Sequence, residues 1–533
     1  MKNAIYFILV AVVALALRLY PYAISGMPFS NDAWPLIRNA ELLAEQTPIA
    51  LNDKIFDGYN NFWPAISLFG IVVSETTSLS PLEAMAFFLP VTGAITILIF
   101  YVLVKRLYNA EISFIASIIF GTAFTHAYFT AGVTKETYAN PLYMLLILIF
   151  LHPAMDWKKR VLLFTIAAVT SVLAHHFTSL VTIFILSSIT LAGFVGNVTK
   201  RSVSHKRDFL LVLILMATAF LYYGLFAQAG FKMPLTYNEW LSVASYQLIL
   251  LSIAIYLTSR SSAYTRKQTV IAVLATVASV LLYVILTLKE SILPGLTTTV
   301  QNHVLLYISP YFITVPVIIL GHIYQKRSNT SPASLFWLTT ILGLQAYALF
   351  SGSNESIGIW IRAPNFQYPP LAILSAMGFY WLFKATKTRV RMFIKPAVIA
   401  TLLIIATINI YSLYSAVSLQ DRYMGYHWLY RVQEYRAGAW IARNAINATV
   451  AGDIKVSYLV KGYFDVDVDV FQGLRYLTEN NQNPPEILYV YSQMLKNGYV
   501  FGLHGVDLSE NWTDKTSQLD FIYSNGLASL YAG

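Results

Sequence analysis

The sequence predicts a polytopic α-helical membrane protein of about thirteen spans that ends in a small α/β domain. Three observations carry that prediction: an apolar composition, basic clusters on alternate connections, and a change of composition near Ser418. Of 533 residues, 57% are hydrophobic and 12% charged, against roughly 25% charged in soluble domains. A soluble fold cannot hide that much apolar surface. The formal charge of +10 would suit nucleic acid if it formed a patch. The basic residues instead fall in short clusters between apolar runs, which is the positive-inside pattern, and no nucleic-acid partner is expected. With no cysteine, disulfides and thiolate metal sites are excluded. The 36 tyrosines and 32 phenylalanines fit interfacial aromatic belts.

Residues 4–24 form the first span. Ala23-Ile24-Ser25 resembles a small-residue cleavage site, but only Lys2 precedes the apolar run, so the segment reads as a retained anchor with a cytoplasmic N-terminus. A loop of residues 26–80 follows, too long for an ordinary connection. It opens on Ser30-Asn31-Asp32-Ala33-Trp34-Pro35. Behind Asp32, the spacing of Leu36, Ile37, Ala40, Leu43 and Ala44 predicts a short amphipathic helix lying at the membrane surface, with Asp32 at the mouth of the bundle. Asp32 would also serve as N-cap of that helix, with Pro35 in its first turn. Phe62 to Val73 is short for a span and reads as a second interfacial helix.

Further spans are expected at 84–104, 111–130, 139–155, 161–176, 178–198, 209–230, 243–259, 269–288, 303–323, 335–352, 368–385 and 396–416. Basic clusters at Lys105-Arg106, Lys158–Arg160, Lys200–Arg207, Arg260–Lys267, Lys326-Arg327 and Lys384–Lys395 fall on the inside, which leaves Asp32, Glu136 and Arg362 outside. The chain divides into a membrane part, 1–417, and an outer α/β domain, 418–533. In that domain Tyr426–Ile446 reads as a helix, Thr449–Val460 and Glu486–Tyr491 as strands. Ser524-Asn525-Gly526 reads as the turn of a hairpin.

The second outer loop carries Thr134-Lys135-Glu136-Thr137-Tyr138. Glu136 and Asp32 are two carboxylates at one membrane level, able to act as a general base with its orienting partner or to hold a divalent cation together. A plain Lys135–Glu136 surface pair explains the loop equally well. His175 and His176 end the fifth span; adjacent helical residues point about 100° apart, a poor metal pair. Arg362, in Ile361-Arg362-Ala363-Pro364 just before a span, is suited to a phosphate at headgroup level, or simply snorkels there.

This pattern resembles the GT-C superfamily of membrane glycosyltransferases. Asn31-Asp32-Ala33-Trp34-Pro35-Leu36-Ile37-Arg38 looks like the first-loop acidic motif of the oligosaccharyltransferase catalytic subunit, with Pro35-Leu36 replacing part of it. Residues 438–463 and the Ile522–Gly526 ending resemble archaeal members. The Trp-Trp-Asp-Tyr-Gly acceptor signature of that subunit is absent. The Thr134–Ala139 loop looks more like relatives that move one sugar from a polyprenyl or dolichyl phosphate, such as protein O-mannosyltransferases and aminoarabinose transferases. The resemblance implies an inverting transferase on the outer face. Asp32 would be base and Glu136 its partner, with Arg362, Lys135, His175, His176 and Trp34 contacting substrate. It also implies a lipid-phosphate sugar donor, a glycan or protein acceptor, and at most a divalent cation (Mg or Mn) bound by Asp32 and Glu136. The alternatives are transfer of a whole lipid-linked glycan to Asn and, in a different class, a transporter or flippase. Transporters place charges near the midplane, whereas those here sit at span ends.

Overall fold

The computed structural model describes residues 2–45, 59–197, 204–228, 236–259, 278 and 302–533, less 153, 352–353, 386–387, 423, 446, 480–482 and 503. The helices follow in order as α1 (Lys2–Ser25), α2 (Ala33–Glu45), α3 (Ala65–Thr77), α4 (Pro81–Leu107), α5 (Ala110–Thr122), α6 (Phe124–Ala131) and α7 (Lys135–Phe150). After them come α8 (Trp157–Ala174), α9 (His176–Asn197), α10 (Ser204–Leu221), α11 (Tyr237–Ser259), α12 (Asn302–Arg327), α13 (Ala333–Phe350), α14 (Asn354–Ala385) and α15 (Thr388–Tyr414).

Among the described residues, eight helices are long and apolar enough to cross a membrane, or nine if the bent pair α5–α6 is one span. The expected span at 269–288 lies outside the described residues. The other differences have visible causes: α7 has only 16 residues, α8 opens on Lys158, Lys159 and Arg160, and α14 carries Arg362, Asn365, Gln367 and three prolines. The helices that qualify carry apolar side chains outward as well as inward; Phe220 on α10 is 77% exposed. Helices apolar on all sides belong in lipid.

The chain forms two compact units. The first comprises residues 1–15, 93–129 and 139–411. Its centre is α14, packed against α12, α13 and α5, with Leu371 to Met377 buried. Helices α12 and α14 meet at paired glycines. A Cβ on Gly321 would strike the Leu374 carbonyl, and one on Gly378 the Val317 carbonyl. Close approach through small residues is how helices associate where lipid supplies no hydrophobic drive. The expected single span at 111–130 is broken at Ala123, where α5 and α6 bend by 63°. The buried Asn409 side chain accepts from Phe124 N at 3.0 Å and so satisfies a backbone donor at the break.

The second unit comprises residues 16–92, 130–138 and 412–533. Its helices α16 (Val432–Asn444), α17 (Ile454–Val460) and α18 (Val470–Thr478) pack with a sheet of β1 (Val450–Ala451), β2 (Val468–Asp469), β3 (Ile487–Tyr491), then β6 (Asp520–Ser524) and β7 (Ala528–Ala532). The strand order is β2-β1-β3-β7-β6, parallel in the first three and antiparallel in the last three, while β4 (Tyr499–Phe501) and β5 (His504–Val506) pair separately. The β6–β7 hairpin turns at Asn525-Gly526, as expected, with Gly526 at φ +88°. The expected strand at Thr449–Val460 stops after Ala451. Asp453 caps a helix there by accepting from Val456 N, and the cap overrides the apolar run behind it.

Candidate functional site

In the second unit, Asp32 occupies the last position before α2. The backbone leading to it is pinned from two sides. Val133 N of the second loop donates to Phe29 O at 2.8 Å, and Ser30 N donates to Trp428 O at 2.9 Å. Between those anchors Ser30 is fully buried and held at φ +99°, a conformation that L residues rarely adopt and that surrounding structure must enforce. The Ser30 hydroxyl accepts from Asp32 N at 3.2 Å. The Asp32 side chain is partly buried. Among the described residues no hydrogen-bond donor or cation engages its carboxylate, which therefore does not act as the N-cap of α2.

Helix α2 forms as its spacing predicts, and it is gripped on both faces. Ala33, Leu36, Ile37 and Ala40 pack with Ile66 of α3, Met85 and Leu89 of α4, and Val133. Trp34, on the opposite face, packs with Met27, Tyr430 and Leu459, and its ring lies 5.0 Å from that of Tyr430. Trp34 has no exposed surface, and its packing makes it the tenon that seats α2 in the C-terminal fold. Polar contacts reinforce the joint. Arg38 pairs with Asp465 at 2.9 Å and donates to Tyr463 O, while the Tyr463 hydroxyl donates to Glu41 at 2.9 Å. Burial raises the Glu41 carboxyl above its usual range, against the pull of that hydroxyl. Gly462 is needed here, because a Cβ would crowd the Tyr458 carbonyl and Pro35.

Behind Asn31 lies a buried polar chain. The Tyr430 hydroxyl is 2.9 Å from both Asn31 Oδ1 and Lys455 O. The Lys455 ammonium pairs with Glu434 at 2.5 Å and lies over the Tyr430 and Tyr491 rings. Broken at one partner, such a buried pair leaves a costly lone charge.

The second loop is locked by its own hydroxyls. Thr137 N donates to Thr134 Oγ1 at 3.0 Å, and the Thr137 hydroxyl donates to Gly132 O at 2.7 Å. Arg18, fully buried in α1, donates from Nε to Thr130 Oγ1 at 3.0 Å and ties the loop's first residue. Lys135 donates to Asn60 Oδ1 at 2.6 Å and sits 4.0 Å from the Tyr59 ring centre. Glu136 is buried. Asp32 and Glu136 each lie three residues from the Phe29–Val133 hydrogen bond, which brings the two loops together. Among the described residues no three His, Asp or Glu side chains converge. Two carboxylates suffice for an ion such as Mg, which keeps waters and takes substrate phosphate oxygens as its remaining ligands.

In the first unit, Arg362 lies inside α14 rather than before a span, partly buried. Its guanidinium is 6.0 Å from the Phe177 ring centre. Phe177 also meets Phe366 at 5.7 Å and His175 at 6.5 Å. The structure therefore gathers Arg362 and His175 around Phe177, and His176 meets the His175 ring at 5.1 Å. His175 is buried, with Nδ1 2.8 Å from the Thr178 hydroxyl, at the break between α8 and α9. The strained Ser30, Asn60 and the Tyr430–Tyr463 clamp carry no sequence signal; each matters only through partners distant in the chain.

Sequence searches match no family and no curated protein. Solved structures do match. The oligosaccharyltransferase of Archaeoglobus fulgidus without ligand aligns at a TM-score of 0.58 and 15% identity, over 92% of this chain and 70% of that one. The same organism's AglB, in complex with an inhibitory peptide and a dolichol-phosphate, aligns at 0.56 and 15%, over 93% and 70%. ArnT from Cupriavidus metallidurans bound to undecaprenyl phosphate aligns at 0.52 and 11%, over 98% and 97%. At these identities the likeness is one of fold alone: this chain shares the fold of those three structures.

Proposed function

We propose that this chain is an inverting membrane glycosyltransferase that moves a sugar from a polyprenyl- or dolichyl-phosphate donor to a glycan or protein acceptor. The observation that carries the reading is the Asp32 carboxylate. It is partly buried, free of donors and cations among the described residues, and mounted on backbone that two other segments pin. A carboxylate so placed is available to take a proton from an incoming hydroxyl. The acceptor O–H loses its proton to Asp32 as the oxygen attacks the anomeric carbon. The bond from that carbon to the phosphate oxygen breaks, and the lipid phosphate departs with the electron pair. Glu136 orients the acceptor or supports Asp32. Arg362 is assigned to the phosphate charge that builds as the bond breaks, which a planar cation with several donors suits. His175 meets the same aromatic ring as Arg362, His176 meets His175, and Lys135 supports the second loop. Likeness to the dolichol-phosphate and undecaprenyl-phosphate complexes supports a lipid-phosphate donor as a class.

The test is a transfer assay with radiolabelled polyprenyl-phosphate hexose and a mixed lipid and peptide acceptor extract, with and without divalent cation. Wild type should consume the donor, and Asp32→Asn should not, while inserting and purifying normally. Full turnover by Asp32→Asn would remove Asp32 from the chemistry. No consumption by wild type would redirect the assay to pyrophosphate-linked glycans and the oligosaccharyltransferase reading.

A further inference from the structure

The first unit carries a concavity that none of the candidate site residues line. It is a groove of about 600 Å³ bounded by α1, α5, α14 and α15. Its walls are apolar, formed by Phe114, Ile118, Phe383, Leu402 and Ala406. Its rim is basic. Lys2, Lys384 and Lys395 stand around it with one carboxylate, Glu111. Lys2 pairs with Glu111 at 3.2 Å and lies over the Tyr6 ring, which stacks on Phe114. Lys384 lies over the Tyr380 ring at 5.5 Å. Glu111 pairs with Lys2 and also interacts electrostatically with Lys384, so one carboxylate faces three ammonium groups and the rim stays basic. Lys384, over its tyrosine ring, and Lys395 thus border an apolar trough, at the end of the helices that the charge distribution assigns to the inner face.

We propose that this groove is a binding site for one anionic phospholipid, its acyl chain along the apolar walls and its phosphate between Lys384 and Lys395. A neutral lipid fills the trough equally well but leaves the excess positive charge of the rim uncompensated. Basic pockets between spans select anionic headgroups by that difference, each cation near the headgroup favouring them by about fivefold. The site is independent of the transferase reading and needs no turnover to be seen.

The experiment is native mass spectrometry of the full chain, purified with equal amounts of phosphatidylglycerol and phosphatidylcholine. Wild type should retain phosphatidylglycerol preferentially. Lys384→Gln with Lys395→Gln should cut that preference on the order of tenfold. Ala406→Trp, which fills the trough and keeps both charges, should lower retention of either lipid there. Lys158→Gln with Lys159→Gln, an equal charge loss at the start of α8, should change nothing. Equal retention of the two lipids by wild type overturns the proposal. So does an undiminished preference in the Lys384/Lys395 variant, or an equal loss in the Lys158/Lys159 control.

Discussion

Two aspartates of the second unit each stand just ahead of a helix, and they are treated in opposite ways. Asp453 is fully buried and fully engaged. It accepts from Val456 N at 2.9 Å, from the Tyr491 hydroxyl at 2.6 Å and from Val500 N at 3.2 Å. Asp32 is partly exposed, and among the described residues no donor or cation engages its carboxylate. Its place in the fold is set by neighbouring backbone instead. A carboxylate saturated with donors holds a fold together; one whose position is fixed by other groups keeps its oxygens for a reactant. The comparison teaches that a helix-start aspartate says little until its partners are counted.

The sharpest test separates the two roles. Asp32→Asn should lower transfer on the order of 10³-fold with an unchanged melting temperature. Asp453→Ala should destabilise the chain, because it strands buried donors at about 1–3 kcal/mol each. Equal melting losses in both variants would break the comparison. Next in size is Trp34→Ala, which empties the socket between α2 and the C-terminal fold and should cost about 3–5 kcal/mol. Thermal unfolding that leaves the variant like wild type would remove Trp34 from the joint.

A smaller effect is in pH. Burial pushes the Asp453 carboxyl up to about 6, above its unfolded value, so the folded chain binds this proton more tightly than the unfolded one. The charged form therefore weakens the fold above pH 6, and the penalty is relieved as pH falls from about 6 towards 4. Wild type should gain in melting temperature relative to Asp453→Asn between pH 7 and pH 4.5; a constant difference would contradict this. The smallest effect is expected at Arg38 and Asp465, an ion pair whose acid is 75% exposed. A double-mutant cycle should return about 0.2–1 kcal/mol, which would assign the hold on α2 to the apolar joint rather than to surface charge.

Much of the fold was legible because lipid imposes simple rules on sequence. Apolar runs marked α1, α4, α9, α10 and α15, and Asn525-Gly526 marked its hairpin, since local chemistry governs both. Helices buried inside the bundle broke the rule. α14 carries arginine, asparagine and prolines, and its residues 371–377 are buried against other helices. The candidate site was legible in part. Asp32 and Glu136 stood out as charges at span ends, and Arg362 as a lone outer arginine, but the helix around Arg362 was missed. Trp34 shows why an aromatic beside an acid is ambiguous in sequence: it reads alike whether it faces a sugar or a tyrosine.

By itself the sequence determined that the chain belongs in a membrane, where its main apolar helices run, and which few charged residues are costly enough to notice. Those are properties of single segments in contact with solvent or lipid, so composition and period suffice to read them. The tertiary structure alone decided that Ser30 is forced to φ +99° and that α2 is clamped by the C-terminal fold. It alone decided that Asp453 is spent on donors while the carboxylate of Asp32 is left without one among the described residues. Ser30 and α2 depend on partners in the C-terminal fold, hundreds of residues away, and Asp453 on Tyr491 and Val500, 38 and 47 residues on; pairings beyond a helical turn leave no periodic trace in one chain.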